Sequence, residues 1–593
     1  MKRFFAWLGV LSGLLAQTSF FSHVAHGKVE KAPASLKLLE KALLLANTKN
    51  NFKALDQVGE LDPFFDHAQG ILGRHERDLA RVALEKRQFS GAIRLAKLAR
   101  DRLVKIQALY SGGPWVRMFA NEVGQLELIE ARALHSKRQM AKARVLYERA
   151  FDRIALALVS WQDLSAYFES CGDWQKLVPT DSCTLWGRKL LAIFPKASPE
   201  RRELEGRFKA VIETLEITPA SQSTGRVQQV YKVTDADAEA WDEILPRIQE
   251  RNLRWASPLF EKFLEKFPRS QFRQRARYWW ALSLLESGPD KKAFSLLEQV
   301  ARESPLSYYG LLSARQLNRN PDEFLSSEIP REEPRDPRLH PSELAALERA
   351  EILLKHKLTS LAELELKEIR VRDALDSNFL VYLARLHQAA KSHLGAFTVV
   401  TELVARGAPA AATQWAAEIV FPVEHWELIQ QAAQAKQLDP IWVLSLMKQE
   451  SAFEDSAQSG VGAVGLMQVM PATALDVDPG VLRLELALPA RNVAIGTGYM
   501  ALLARRFKGN LALATASYNA GPQAVERWVR EKGPYPGLVE FIEAIPYRET
   551  RDYVGSIVRN YFWYTRKLKP EPSSVPDKEV EYFWKVTPQN GNA

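Results

Sequence analysis

The sequence predicts a mainly α-helical protein, in which a run of helical hairpins is followed by an α-rich domain that holds the chemistry. Three observations carry this expectation. Apolar residues recur at helical spacing from about residue 34 to 420, with little strand-like alternation. Those segments come in pairs joined by short turns. A strongly apolar stretch at 439–450 then opens with helix-start signals and ends on a carboxylate.

The hairpins read in order. Residues 81–99 predict a helix, a short turn and a second helix, and 128–150, 276–298 and 378–403 repeat the pattern. They resemble degenerate tetratricopeptide-like hairpins, which stack into a solenoid. No fixed period is visible. Two segments interrupt the pattern. Residues 217–225 are polar and turn-rich, and 318–341 carry five prolines among charges, as irregular connections do. Ser307-Tyr308-Tyr309-Gly310 is expected to pack its aromatics between helices. The tail beyond Lys569 is rich in proline and polar residues, with Tyr582-Phe583-Trp584 as an element that could dock.

Glu450 is the most informative residue. Asp439 suits a helix cap and Pro440 the first helical position. The helix that follows is apolar on most sides, which predicts burial. A carboxylate at its C-terminal end is disfavoured as an anion by desolvation and by the negative end of the helix dipole. Such a group can remain protonated near neutral pH and donate a proton. Taken alone, the same residue also fits a solvated helix edge.

The segments after Glu450 narrow this choice. Gly460, Gly462 and Gly465 lead into Leu466-Met467-Gln468, a chain that bends tightly or lets a ligand approach its backbone. Further on come Tyr518-Asn519 and Glu549-Thr550-Arg551-Asp552-Tyr553. Glu450-Ser451, Gly465–Gln468, Tyr518-Asn519 and Glu549–Tyr553, in that order, resemble the catalytic domain of the soluble lytic transglycosylases. The resemblance spans roughly residues 425–567, and Phe421-Pro422 with Trp426 resembles the start of that domain. One departure is Ser517, where alanine is common before Tyr-Asn.

The resemblance implies a lysozyme-like fold for 421–570, preceded by a solenoid over 28–420 that holds no catalytic group. It implies peptidoglycan glycan strands as substrate, cut at the β-1,4 bond between N-acetylmuramic acid and N-acetylglucosamine. It implies Glu450 as the catalytic acid and base. Ser451 is then expected to orient Glu450 or the acetamido group, and Met467 and Gln468 to line the glycan groove. Tyr518 is expected near the developing charge, and Asn519 to support its loop or bind sugar. Glu549 and Tyr553 are expected to contact substrate or support Glu450. Glu549 is also the strongest rival as a second carboxylate, unless it pairs with Arg548 or Arg551. Two other readings remain open: a hydrolytic muramidase of the same fold, and a scaffold that only binds glycan.

Composition bounds the rest. At 593 residues and 46% hydrophobic content, the chain can build a repeat array plus a domain. A net charge of +9 suits an anionic cell-wall polymer, and no nucleic-acid motif accompanies it. Residues 1–27 read as a secretory signal: Lys2-Arg3, an apolar run over 4–16, and the small-x-small site Ala25-His26-Gly27. The expectation is export to the periplasm, no stable membrane insertion after cleavage, and a C-terminal tail over 571–593. Cys171 and Cys183 are the two cysteines, and the sequence leaves open a disulfide or two free thiols. No metal or other cofactor is expected, and protein partners are not legible.

Overall fold

A computed structural model describes residues 33–43, 49–110, 112–154, 166–167, 170–171, 236–250, 253, 255–268, 270–372, 374–459, 462–481, 483–569 and 583. Among these, the chain is helical, and the extended pairings are isolated bridges such as Val464 with Val469. It forms two compact units. One comprises 1–223, 337–370 and 386–392; the other 224–336, 371–385 and 393–593. The helical region ahead of residue 421 therefore contributes to both. The expected signal segment, residues 217–225, Cys183, Gly460, Tyr582 and Trp584 lie outside the described residues. Cys171 is disulfide-bonded.

In the first unit, helices α1 (Phe65–Glu85), α2 (Phe89–Leu109), α3 (Pro114–Ser136) and α4 (Met140–Arg153) pack each on the next. The hairpins predicted at 81–99 and 128–150 are the α1–α2 and α3–α4 turns. Ala92, Ala96, Ala99, Leu103 and Ile106 form the buried stripe of α2 at three- and four-residue spacing. The turns close on left-handed residues, Arg87 at φ 57° and Arg138 at φ 59°. A left-handed residue just past a helix end satisfies its last carbonyls. Here Gln88 N–H donates to Ala83 O at 2.8 Å and Gln139 N–H to Leu134 O at 2.9 Å. A further hairpin in this unit, Pro341–Lys355 with Thr359–Leu366, follows the proline-rich connection directly.

In the second unit, α5 (Arg273–Leu285) and α6 (Lys291–Glu303) form the hairpin predicted at 276–298. Asp290 caps α6 by accepting from Ala293 N–H at 2.8 Å. Helix α7 (Tyr308–Gln316) follows, capped by Ser307 through Gly310 N–H at 2.9 Å. After it come α8 (Pro440–Ser451), α9 (Pro489–Arg506), α10 (Leu511–Ala520), α11 (Leu538–Ala544) and α12 (Arg548–Leu568). Helices α10 and α12 pack together, and α12 runs along α8. Val443, Leu444, Leu446 and Met447 of α8 are fully buried, as are Val554 and Ile557 of α12. Phe583 from the tail is also buried and meets Tyr561 of α12 edge-on, ring centroids 5.0 Å apart.

Candidate active site

Glu450 sits in the last turn of α8, and the start of that helix is built as its sequence predicts. Asp439 Oδ1 accepts from Ile441 N–H at 2.8 Å, with Pro440 in the first turn. Asp439 Oδ2 accepts from the Tyr561 hydroxyl at 2.7 Å. Farther along α8, the buried Asn560 amide donates to Ser445 O at 3.1 Å, and Trp442 Nε1–H donates to Thr515 Oγ1 at 3.0 Å. Helices α10 and α12 are thus each hydrogen-bonded to α8. Past Glu450 the chain turns sharply: Ala452 and Phe453 have φ of 50° and 66°, a conformation side chains with a Cβ seldom adopt.

Tyr553, in the second turn of α12, donates its hydroxyl to Glu450 Oε1. Burial pushes the Glu450 carboxyl up, the Tyr553 hydrogen bond opposes that rise, and the charge of exposed Glu549 adds to it. The result is a pKa of about 7 rather than 4.5. A carboxyl so placed holds and releases its proton near neutrality, as a general acid–base must.

The glycine-rich segment forms a bent loop beside this carboxyl. Gly462 and Gly465 have φ of 94° and 76°. A Cβ on Gly465 would lie 2.5 Å from the Asn492 amide, so only glycine fits. Asn492 is fully buried in α9. Its Oδ1 accepts from Met467 N–H at 2.8 Å, and its Nδ2 donates to Val464 O and Leu486 O at 2.7 and 2.8 Å. The Tyr518 hydroxyl donates to Met467 O at 2.8 Å, pinning the loop to α10. Burial first, and then the nearby Glu450 charge, holds that phenol well above its ordinary range.

Residues 427–537 match the transglycosylase SLT domain family. The chain is 26% identical to the soluble lytic murein transglycosylase of Salmonella typhimurium over 379 residues, covering 58% of this chain and 54% of that protein. It is 25% identical to the Escherichia coli protein of the same name over 368 residues, with the same coverage. Residues 427–537 therefore carry a match to the SLT domain, and the chain resembles the soluble lytic murein transglycosylases. It spans about half the length of the curated relatives it matches. It is also similar to a solved lytic transglycosylase of Pseudomonas aeruginosa, at 21% identity and a TM-score of 0.44, over 97% of this chain and 88% of that one.

The structure brings the motif residues of the resemblance together, with several side chains turned toward the backbone. Ser451 is buried; its hydroxyl donates to Met447 O at 3.3 Å and accepts from Phe453 N–H at 3.1 Å, so it braces the helix end rather than Glu450 itself. Met467 is fully buried, and its sulfur would lie 2.5 Å from a Cβ on Gly496; this side chain packs instead of lining a groove. Gln468, at φ 44°, donates from Nε2 to Ala457 O and Gly465 O at 3.0 and 2.9 Å. Exposed Asn519 accepts at Oδ1 from Thr550 Oγ1–H at 2.5 Å, linking the end of α10 to the first turn of α12. Of Glu549's expected partners, Arg548 lies over the Phe272 ring at 4.7 Å and Arg551 donates to Ile545 O at 3.1 Å.

Sequence reasoning missed two contributors to the site, Asn492 and Tyr499, and gave Thr550 of the 549–553 motif no role. Asn492 had one faint signal, a polar residue on the apolar face of a helix. Tyr499 lies 5.5 Å from Tyr518, centroid to centroid, and Thr550 joins Asn519. Elsewhere in the chain, Asp66, His67 and Glu365 bring three ligand-type groups together. Arg349 engages Asp66 at 2.8 Å and Glu365 at 2.7 Å, and Trp115 Nε1–H donates to His67 Nδ1 at 2.9 Å. That leaves His67 Nε2–H to donate to Glu365 at 2.7 Å. The donor atoms are thus engaged with each other and with Arg349, an arrangement that suits a buried ion pair rather than a metal.

Proposed function

We propose that this protein is an exported lytic transglycosylase of peptidoglycan. It cleaves the β-1,4 bond between N-acetylmuramic acid and N-acetylglucosamine and leaves a 1,6-anhydromuramoyl end. The observation that carries the reading is Glu450: a carboxyl raised to about 7, hydrogen-bonded by Tyr553, inside the matched SLT region. Glu450 protonates the glycosidic oxygen as the bond to muramoyl C1 breaks. The 2-acetamido oxygen of the same sugar stabilises the positive centre, so a protein nucleophile is not required. Glu450 then takes the proton of the sugar's own C6 hydroxyl, whose oxygen closes on C1. No water is consumed, and the carboxyl ends the cycle protonated. Intramolecular attack benefits from high effective molarity.

The domain reading that goes with this is a signal over 1–27, a helical region over 28–420, a lysozyme-like catalytic domain over 421–570 and a tail over 571–593. The site is the periplasm and the partner the glycan strand. No helix among the described residues is long and apolar enough to cross a membrane. Glu450, Tyr518 and Tyr553 act at the reacting sugar, Ser451, Met467 and Gln468 hold the chain that shapes the groove, and Asn519 and Glu549 line it. Mass spectrometry of products from purified peptidoglycan tests the reading. Anhydro ends are expected; free reducing ends would make the protein a muramidase, and no cleavage would leave a glycan-binding scaffold.

A further inference from the structure

Glu543, in α11, is a buried carboxylate whose partners come from far back in the chain. Its side chain is 2% exposed, and the Arg275 side chain that pairs with it is 5% exposed. Trp279 Nε1–H donates to Glu543 Oε1 at 3.0 Å, and the Tyr309 hydroxyl donates to the same oxygen at 2.6 Å. Gln249 Nε2–H donates to the Glu543 backbone carbonyl at 2.9 Å. The carboxylate thus collects donors from α5 and α7, and the helix Ala236–Gln249 reaches the backbone of the same residue.

The same contacts reach α12. Tyr308 lies against Gly555, where a Cβ would come within 3.3 Å of its ring. Gly555 is two residues past Tyr553. Arg551 is buried beside Arg275, and burial followed by that neighbour's charge lowers its pKa. Only residues 545–547 separate α11 from α12, so the seat of Glu543 sets where α12 begins. The first two turns of α12 carry Glu549, Thr550 and Tyr553. A hydrogen bond weakens steeply with misalignment, so a small shift of α12 is felt first at the Tyr553–Glu450 contact. Removing one partner of a buried ion pair leaves an uncompensated charge, which makes this seat an all-or-none arrangement.

We propose that Arg275 and Glu543, with Tyr309, are positioning residues for the reaction: they seat α12 and thereby aim Tyr553 at Glu450. The inference rests on Glu450 as the acid–base group. It makes residues 236–316 part of the catalytic apparatus rather than a passenger ahead of it.

Two variants of the full chain test this, Glu543→Gln and Tyr309→Phe. The second keeps the ring beside Tyr278, 5.6 Å away, and removes only the hydroxyl. The readout is the titration of Glu450, taken from its protonated-carboxyl infrared band in difference spectra against the matching Glu450→Gln protein. It needs no turnover, so it is separate from the product analysis that decides the function. Because the Tyr553 hydrogen bond holds the Glu450 pKa down, both variants should raise that pKa, in the direction of Tyr553→Phe. Adding Tyr309→Phe to Tyr553→Phe should move it no further. Turnover should fall roughly tenfold to a hundredfold, as for a displaced catalytic contact. A lowered melting temperature with the Glu450 titration unmoved, or shifts that add in the double variant, would overturn the proposal.

Discussion

The Tyr553 hydroxyl donates to Glu450 Oε1 across a separation of 103 residues. It joins the end of α8 to the second turn of α12, and it opposes the burial that raises the carboxyl. The balance between the two sets the working range of the site.

The first prediction is that Glu450→Gln abolishes cleavage while the fold survives. The amide fills the same volume but has no proton to transfer. Loss of a general acid–base group is expected to lower turnover on the order of a hundredfold or more. Turnover near wild type on purified peptidoglycan, with a normal circular dichroism spectrum, would remove Glu450 from the mechanism.

The second concerns pH. Cleavage needs the protonated carboxyl first, so the rate should fall as pH rises through about 7. Stability follows from the same shift. The folded pKa is raised above the ordinary 4.5, so the folded state binds this proton more tightly than the unfolded chain. The carboxyl therefore burdens stability little below pH 4.5 and most above pH 7. Glu450→Gln should melt higher than wild type above pH 7, and the gap should close at low pH. An equal gap at both ends would mean that Glu450 titrates at its ordinary value.

The third prediction is that Asn492→Ala destabilises the protein by at least about 2 kcal/mol, because it strands buried backbone groups at Val464, Met467 and Leu486. Denaturant unfolding measures it. A change within a few tenths of a kcal/mol would show that the loop holds its shape without Asn492.

Much of the fold was legible because it is local. Periodicity located the hairpins, and Asp439-Pro440 announced the start of α8. The turns were harder to read, since Arg87, Arg138 and Lys391 take left-handed conformations where a glycine would have been the signal. In the site, the motifs named the right residues but could not say which atoms face the sugar. Ser451, Met467 and Gln468 spend their polar or apolar groups on neighbouring chain, a fact of tertiary placement. Arg275 and Glu543, 268 residues apart, left no trace, because a buried ion pair between distant helices has no sequence period.

The last prediction concerns Tyr518. Its hydroxyl donates to Met467 O, and its phenol feels the Glu450 charge, so the side chain holds the loop and lies near the acid. Tyr518→Phe keeps the ring against Tyr499 and loses only the hydroxyl. If that group works in the transition state, kcat and kcat/KM should fall together, on the order of tenfold, with glycan affinity nearly kept. If it serves only to hold the loop, KM should rise while kcat stays, because a loosened groove weakens substrate and transition state alike. We expect the first pattern, since the loop retains the three Asn492 hydrogen bonds when the phenol is gone. Both constants measured on a soluble glycan fragment separate the two, and unchanged kinetics would make Tyr518 a packing residue.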